Sequence, residues 1–377
     1  MAKHAYLSAS ASGRWLKCPP SAKLCAEESD RASPYAEQGT DAHALCEYLV
    51  ESALGRPCED PTQNLRWHDA EMQEAAEGYR DFVMEQTEDA KKLCADPLIC
   101  VEQRLDFSHW VEQGFGTGDC VIVADGLLHV IDFKYGLGVL VKATENSQLM
   151  CYALGAFDTF GFLYDIRRIK LSIYQPRRQN VDTWNLTTDD LLHWADEVLT
   201  PIAKLAYEGK GEFAAGDHCQ FCKAKAVCRK RAEYSMELAK HDFIDPPLLD
   251  TEAIAEILPR IDSLVSWAED VKAYALQQAL SGVRYTGYKV VEGRSNRKFT
   301  DEVAVATVVS DAGYEPYEKK LLGITAMQKQ LGKKKFDELL GALVVKPPGK
   351  PVLVPETDSR PEFNTATNDF KEENDHE

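Results

Sequence analysis

The chain has 377 residues, 44% hydrophobic and 28% charged, enough for one sizeable core and an accessory piece. Its net charge of −18 excludes a protein that coats nucleic acid through a uniformly basic surface, but leaves room for a local basic channel. No apolar run approaches the roughly 20 residues needed to span a bilayer. The start, MAKHAYLSASASGRW, lacks the apolar core of a secretory signal, and eleven scattered cysteines fit a reducing compartment. Cytoplasmic residence, with no membrane partner, is the expectation.

In chain order, a Ser-rich lead runs into RWLKCPPSAKLCAEE, a short helical piece broken at Pro19-Pro20, with Cys18 just before the break. Gln38 to Leu54 reads as an amphipathic helix with Leu45, Leu49, Val50 and Leu54 inward. His43 and Glu47 share another stripe of it, four residues apart. A helical His is as a rule a satisfied surface or core group, so His43 alone is no site. Asp69 to Cys94 predicts a second long helix with Tyr79, Phe82 and Val83 inward. Leu98 to Phe107 alternates like a strand that pairs with the central hairpin, and Glu102 on it faces either a site or solvent.

The stretch Gly116 to Tyr152 organises the chain. Cys120 to Ala124 and Leu127 to Lys134 are apolar runs on either side of Asp125-Gly126, a strong two-residue hairpin signal. With the turn centred there, Asp119 and Asp132 fall opposite one another, and Lys134 shares their face because strand side chains alternate. Opposed carboxylates repel, so a half-buried pair wants a hard divalent cation such as Mg²⁺ or Mn²⁺; a solvated hairpin rim is the plainer alternative. On the next helix, Gln148 and Tyr152 are four apart on one face, amid Leu149, Ala153 and Leu154, where they can reach back over the sheet toward a phosphate.

Arg168 to Gln175 predicts a strand, Pro176 to Asn180 a turn, and Val181 to Leu186 the returning strand. Arg177 and Arg178 at that tip are either phosphate contacts or solvated turn residues. Thr188 is expected to cap a helix running to about Tyr207. Residues 216–229 then read GDHCQFCKAKAVCR, and Cys219, Cys222 and Cys228 form C-x2-C-x5-C. Three thiols at that spacing lack one ligand for zinc or an iron–sulfur cluster, a place His218 can in principle fill. The remaining cysteines, Cys25 among them, read as ordinary thiols.

Thr251 to Leu280 is strongly helical with a break or kink expected at Pro259, and its apolar positions are spaced to pack on a neighbour. Tyr285 to Val291 suggests a strand, Thr300 to Ala312 a helix, and Leu321 to Leu340 two short helices around Gly332 and Lys333 to Lys335. From Val283 to Lys350 there are 13 basic and 8 acidic residues, so Arg294, Arg297, Lys298, Lys333, Lys334 and Lys335 are candidate phosphate contacts. A Pro-rich linker and an acidic tail, expected to be disordered, close the chain. The expected organisation is 1–235, a helical extension 236–282, a small basic module 283–346, and the tail 347–377.

Taken in order, G-T-x-x-H ending at His43, G-x-G-D ending at Asp119, D-F-K at Asp132 to Lys134 and Q-L-x-x-Y from Gln148 to Tyr152 resemble the RecB-type branch of the PD-(D/E)XK nucleases. The resemblance covers roughly Tyr6 to Arg229. It implies an α/β fold with a mixed central sheet flanked by helices, here joined to a small, mostly helical C-terminal module. It also implies that Asp119, Asp132, His43 and the backbone carbonyl of Phe133 hold Mg²⁺ or Mn²⁺. Lys134 then activates or orients the attacking water, while Gln148 and Tyr152 position the phosphate. The cysteines are similar to those of AddB and the CRISPR-adaptation nucleases, which implies a [4Fe–4S] cluster held by Cys18, Cys219, Cys222 and Cys228, with zinc as the alternative. The C-terminal part resembles a bacteriophage and prophage family of RecB-like proteins. DNA is the implied partner and an exonuclease in phage recombination or replication the implied activity, in a bacterial host alongside a single-strand-binding or annealing protein. A catalytically silent DNA-binding or assembly protein is the alternative.

Overall fold

The computed structural model describes residues 5–26, 34–237, 251–292, 299–317 and 321–345. Two units divide the chain, Met1–Gln278 and Ala279–Glu377. The first opens with two short helices, α1 (Ser12–Trp15) and α2 (Ser21–Ala26), separated at Pro19-Pro20. Two long helices come next, α3 (Pro34–Ala53) and α4 (Ala70–Lys91). Asp69 caps α4, its Oδ1 accepting the Met72 N–H at 2.8 Å, which fixes where this polar-faced helix begins.

Five strands form one mixed sheet in sequence order: β1 (Leu98–Asp106), β2 (Phe115–Ala124), β3 (Leu127–Phe133), β4 (Arg168–Gln175) and β5 (Asn180–Thr187). Every neighbouring pair is antiparallel except β3 and β4, whose parallel pairing requires a crossover. Helix α5 (Ser147–Phe160) supplies it. The β2–β3 register, Cys120↔Ile131 through Ala124↔Leu127, places the turn at Asp125-Gly126 as expected. Gly126 alone of that pair takes a left-handed φ, +76°, so the turn is not the doubly left-handed form that the dipeptide suggests.

Strand alternation divides the core into two layers. Val121, Val123, Leu128 and Val130 face α5 and pack with Trp15, Leu149, Leu154, Ile169 and Leu171. Cys120, Ile122, Ile131 and Phe133 face α3 and α4 and pack with Leu45, Val50, Met72, Tyr79 and Val83. A sheet covered on both faces explains why β3 is buried at every position. The unit is therefore an α/β sandwich of the coarse kind expected.

After β5, Thr187 rather than Thr188 is the helix cap. Its side chain accepts the Asp190 N–H while Asp190 returns to the Thr187 backbone, a full capping box. The helix is α6 (Thr188–Trp194), widened over Ala195–Leu199 and resumed as α7 (Thr200–Glu208). The cysteine-bearing loop leads to α8 (Arg229–Met236), and Thr251–Leu280 forms one continuous helix, α9, with Pro259 inside it rather than ending it. Asp270 of α9 pairs with Arg231 and Lys225 at 2.7 and 2.8 Å, which ties this helix to the first unit. The apolar spacing of α9 does not correspond to burial: Ile254, Leu258, Ile261 and Val265 are each at least 40% exposed.

The second unit contains α10 (Glu302–Asp311), capped by Asp301, then α11 (Ile324–Leu331) and α12 (Lys333–Leu340). Among the described residues no strand forms over Tyr285–Val291, a short run whose residues remain exposed. The candidate contacts Arg294, Arg297 and Lys298, and the 347–377 tail, lie outside the described residues.

Candidate functional site

The end of the β2–β3 hairpin brings the predicted residues together, though not as a simple opposed pair. The β2–β3 ladder stops at Cys120↔Ile131, and the Asp119 side chain takes over from the main chain, its Oδ2 accepting the Phe133 N–H at 2.6 Å. Its other oxygen lies 3.2 Å from His43 Nδ1 on α3, and the His43 ring stands edge-on against Phe133. Asp132 is 2% exposed. Its Oδ1 accepts from Gln148 Nε2 at 3.1 Å, while Oδ2 lies 2.7 Å from Lys134 Nζ. That last contact is a close ion pair, so both oxygens of this buried carboxylate are engaged by the chain's own donors.

Glu102 resolves to the site and not to solvent. In the β1–β2 ladder, Glu102 and Asp119 are the position skipped between Val101↔Cys120 and Gln103↔Gly118. Glu102 has φ +47°, a left-handed conformation costing a residue with Cβ of order 1 kcal/mol. The inward alternation changes phase in both strands at this level: Leu98 and Cys100, but then Leu105 and Phe107, face the α5 layer. One consequence is a group of His43, Glu102 and Asp119 whose ligand atoms all lie within 4.8 Å of one another. Asp132 is not in that tight group, so the metal-ligand set expected from sequence gains Glu102 and holds Asp132 at its edge.

Titration follows from crowding. Burial opposes charge on His43, but Asp119 and its hydrogen bond outweigh burial and push the imidazole up to about 9. Burial and the Asp119 carboxylate push Glu102 up to about 7. Burial raises Asp132 despite Lys134, whereas in Asp119 the cation on His43 overcomes burial and holds the carboxyl low. Burial also works against the Lys134 ammonium, yet Asp132 and Asp119 keep it above the usual lysine range. In this state Lys134 is a cation and a donor, not a base.

Gln148 and Tyr152 are engaged with the site's own side chains. Gln148 accepts from Lys134 Nζ and donates to Asp132 and to the Tyr152 hydroxyl, all at 3.1 Å. Tyr152 is 5% exposed. Together they set the orientation of Asp132 and Lys134 from behind. The glycines of G-x-G-D make this possible, since a Cβ on Gly116 would meet the Tyr152 ring at 2.6 Å and one on Gly118 would meet Leu105 at 2.9 Å.

The segment from Gly136 to Asn146, between Lys134 and α5, is held by its main chain. Gln175 donates to the carbonyls of Gly136 and Val139 and accepts from Val141; Asn180 donates to the Val141 carbonyl; Asp182 accepts from Ala143. Leu137, Val139 and Leu140 are nonetheless 45–50% exposed. Arg177, expected as a phosphate contact or a solvated turn residue, is not free at the turn: it pairs with Glu71 at 2.9 Å and lies over the Tyr135 ring. Arg178 is exposed and donates to the Leu137 carbonyl. Lys333, Lys334 and Lys335 open α12 of the second unit, with Lys335 exposed.

The four predicted cysteines line one small cavity, with Arg14 and Arg231 also in its wall. Cys18 arrives on the turn after α1, Cys219 and Cys222 on a single helical turn, and Cys228 as the cap of α8. Among the described residues no three of their sulfurs lie within 4.8 Å of one another. His218 is in the same wall but its Nε2 is directed to the Ala214 carbonyl at 3.1 Å. Cys25, read as an ordinary thiol, is not one: its Sγ is 3.7 Å from Cys222 Sγ and accepts the Lys223 N–H. The contact with Cys222, against burial, holds the Cys25 thiol down to about 6.

The chain belongs to the family described as Protein of unknown function (DUF2800), whose model matches residues 4–361. Among solved structures, one described as "Crystal structure of SSO0001" is 13% identical and matches 51% of this chain and 98% of its own, at a TM-score of 0.24. So weak a superposition carries no weight for fold or function.

The Glu102 backbone makes a prediction. Asn tolerates the left-handed region and removes one of three crowded carboxylates, so Glu102→Asn should stabilise the cation-free protein by about 1 kcal/mol. The same change should weaken Mn²⁺ binding roughly tenfold, one lost carboxylate ligand being worth about that much. Thermal denaturation in EDTA and calorimetric Mn²⁺ titration check the two effects separately.

Proposed function

We propose that this protein is a divalent-cation-dependent deoxyribonuclease of the PD-(D/E)XK type, acting as an exonuclease in phage DNA recombination or replication. One observation carries the reading: three carboxylates, an imidazole and a lysine converge at one end of the sheet, around a buried Asp132. Residues that repel one another this closely are a poor solution for stability and a good one for a cation. His43, Glu102 and Asp119, with Asp132 at the edge, fit Mg²⁺ or Mn²⁺; the imidazole favours Mn²⁺ among hard cations. Such a cation supplies Lewis-acid chemistry, acidifying water and offsetting charge on a scissile phosphate.

The chain's own residues do the rest. Lys134, held as an ammonium, donates toward a phosphate oxygen and stabilises charge that grows during displacement. Gln148 fixes both Lys134 and Asp132, so their relative position does not depend on substrate. Tyr152 locks Gln148 in turn.

The cysteine cavity supports a [4Fe–4S] cluster over zinc. Four thiolates on one zinc at about 2.3 Å sit within about 4 Å of one another, closer than these sulfurs are grouped. Arg14 and Arg231 beside them suit an anionic cluster.

Degradation of end-labelled linear and closed circular DNA, with Mn²⁺, Mg²⁺ or EDTA, tests the activity against Lys134→Ala. Cation-dependent loss of linear DNA by wild type, absent in the variant, supports an exonuclease. No cleavage by fully loaded wild type moves the assignment to a silent DNA-binding or assembly protein. Equal activity in the variant means the site is misplaced.

A pH dependence arises from the same groups. With no cation bound, His43 and Glu102 hold protons up to about pH 9 and about pH 7. A cation must displace those protons, so affinity should rise with pH through both values and proton release should accompany binding. Calorimetry of Mn²⁺ binding in buffers of differing ionisation enthalpy counts the protons; affinity flat from pH 6 to 9 contradicts the ligand set.

A further inference from the structure

A fifth sulfur, Cys25, touches one wall residue of the cysteine cavity without lining the cavity itself, and has no role in holding the proposed cluster. Cys25 lies at the end of α2, 197 positions before Cys222, yet their sulfurs are 3.7 Å apart. Both are buried, and with Ala224 and Leu24 they form a small apolar cluster apart from the main core. The Lys223 N–H, 3.3 Å from Cys25 Sγ, holds the C-x2-C segment against α2. An approach of about 1.7 Å brings the two sulfurs to a disulfide bond length of ~2.05 Å.

We propose that Cys25 and Cys222 form a disulfide in the cluster-free protein, and that this bond competes with cluster assembly for Cys222. The competition rests on Cys222 being a cluster ligand; the disulfide itself does not. The oxidant is a low-molecular-weight disulfide of the glutathione class. The Cys25 thiolate attacks one of its sulfurs and expels a glutathione thiolate, giving a mixed disulfide. The Cys222 thiolate then attacks the Cys25 sulfur, forms the protein disulfide and expels the second glutathione. Two electrons pass from the protein sulfurs to the small disulfide, and the two protons lost by the thiols end on the two glutathiones.

Geometry gives the bond two consequences. It closes nearly the same long loop as the cluster, joining α2 to the C-x2-C segment, so the domain keeps its tie between distant parts of the chain when iron is lost. It also removes one of the four thiolates, so iron and sulfide cannot be reloaded until a reductant opens it.

Full-length protein is stripped with a chelator under reducing conditions, treated with glutathione disulfide and digested without reduction for mass spectrometry. A Cys25–Cys222 cross-linked peptide pair, about 2 Da below the sum of its parts, is expected as the main product. Cluster reconstitution of the oxidised protein should fall about tenfold and return with dithiothreitol, because one ligand is withheld. Cys25→Ser should load iron like reduced wild type and show no oxidation-dependent loss. A different cysteine pair, or glutathione adducts without a cross-link, overturns the proposal. So does failure of both Cys25→Ser and Cys25→Ala to load iron while folded by circular dichroism, since Cys25 is then a ligand. If wild type binds no iron, the cluster reading fails while the peptide map still decides the disulfide.

Discussion

Asp132→Asn should abolish cation-dependent DNA cleavage, by at least about 10³-fold, while leaving the cation-free protein as stable as wild type or more so at pH 7. The two effects have one cause. Burial and Asp119 raise the Asp132 pKa in the folded state, so its ionised form is disfavoured there. Such a group makes folding less favourable as pH climbs from the unfolded to the folded pKa, and the amide has no such dependence. Asn keeps the volume and can still accept from Gln148, and the Lys134 ammonium, which loses its 2.7 Å carboxylate partner, keeps Asp119 and the Gln148 oxygen. In EDTA the variant should therefore melt no lower than wild type, and the difference should shrink toward pH 4. With Mn²⁺ the order should reverse, since the cation raises the melting temperature of wild type and does little for the variant. Melting curves with and without Mn²⁺ check this; a variant that loses stability in EDTA would show that Asp132 is structural.

Cys18→Ser should cost the most stability of any single change outside the core. Cys18 and Cys219 are 201 positions apart, and a ligand set that joins them closes that loop. Chain-closure arguments put such a tie at about 5 kcal/mol, or roughly 10–20 °C in melting temperature for a domain of this size. Iron per chain should fall with it. Anaerobic purification, iron analysis and calorimetry of wild type and variant measure both. Full iron content in the variant would mean that a different residue completes the set.

Much of the fold and site is legible in the sequence because the signals are local. Asp125-Gly126 between apolar runs fixes the turn, and with it the level of Asp119 and Asp132. Arg168 to Gln175 is readable as a strand from its alternation. What escapes is whatever depends on tertiary context. Glu102 stays open between site and solvent, because a left-handed φ at a Glu has no sequence signature. Arg177 looks free because Glu71 and Tyr135, which occupy it, are remote in sequence. Helical spacing puts Gln148 and Tyr152 on the correct face, but only packing reveals that they turn inward to hold Asp132 and Lys134. Cys25 lies outside the C-x2-C-x5-C spacing, and its partner is visible only once the chain has folded. The Tyr285 to Val291 run has strand composition yet forms no strand, a case where β preference is context and not an intrinsic property.

The loop after Lys134 separates two duties that most binding loops combine. Its path is fixed by Gln175, Asn180 and Asp182, which grip carbonyls and N–H groups rather than side chains. The side chains of Leu137, Val139 and Leu140 at its tip, each about half exposed, take no part in those hydrogen bonds. Residues there can be exchanged for others without moving the lysine three positions upstream, so under the proposed function what the loop touches can change while the site stays as it is. A library randomised at those three positions alone would sample recognition on a fixed reactive frame.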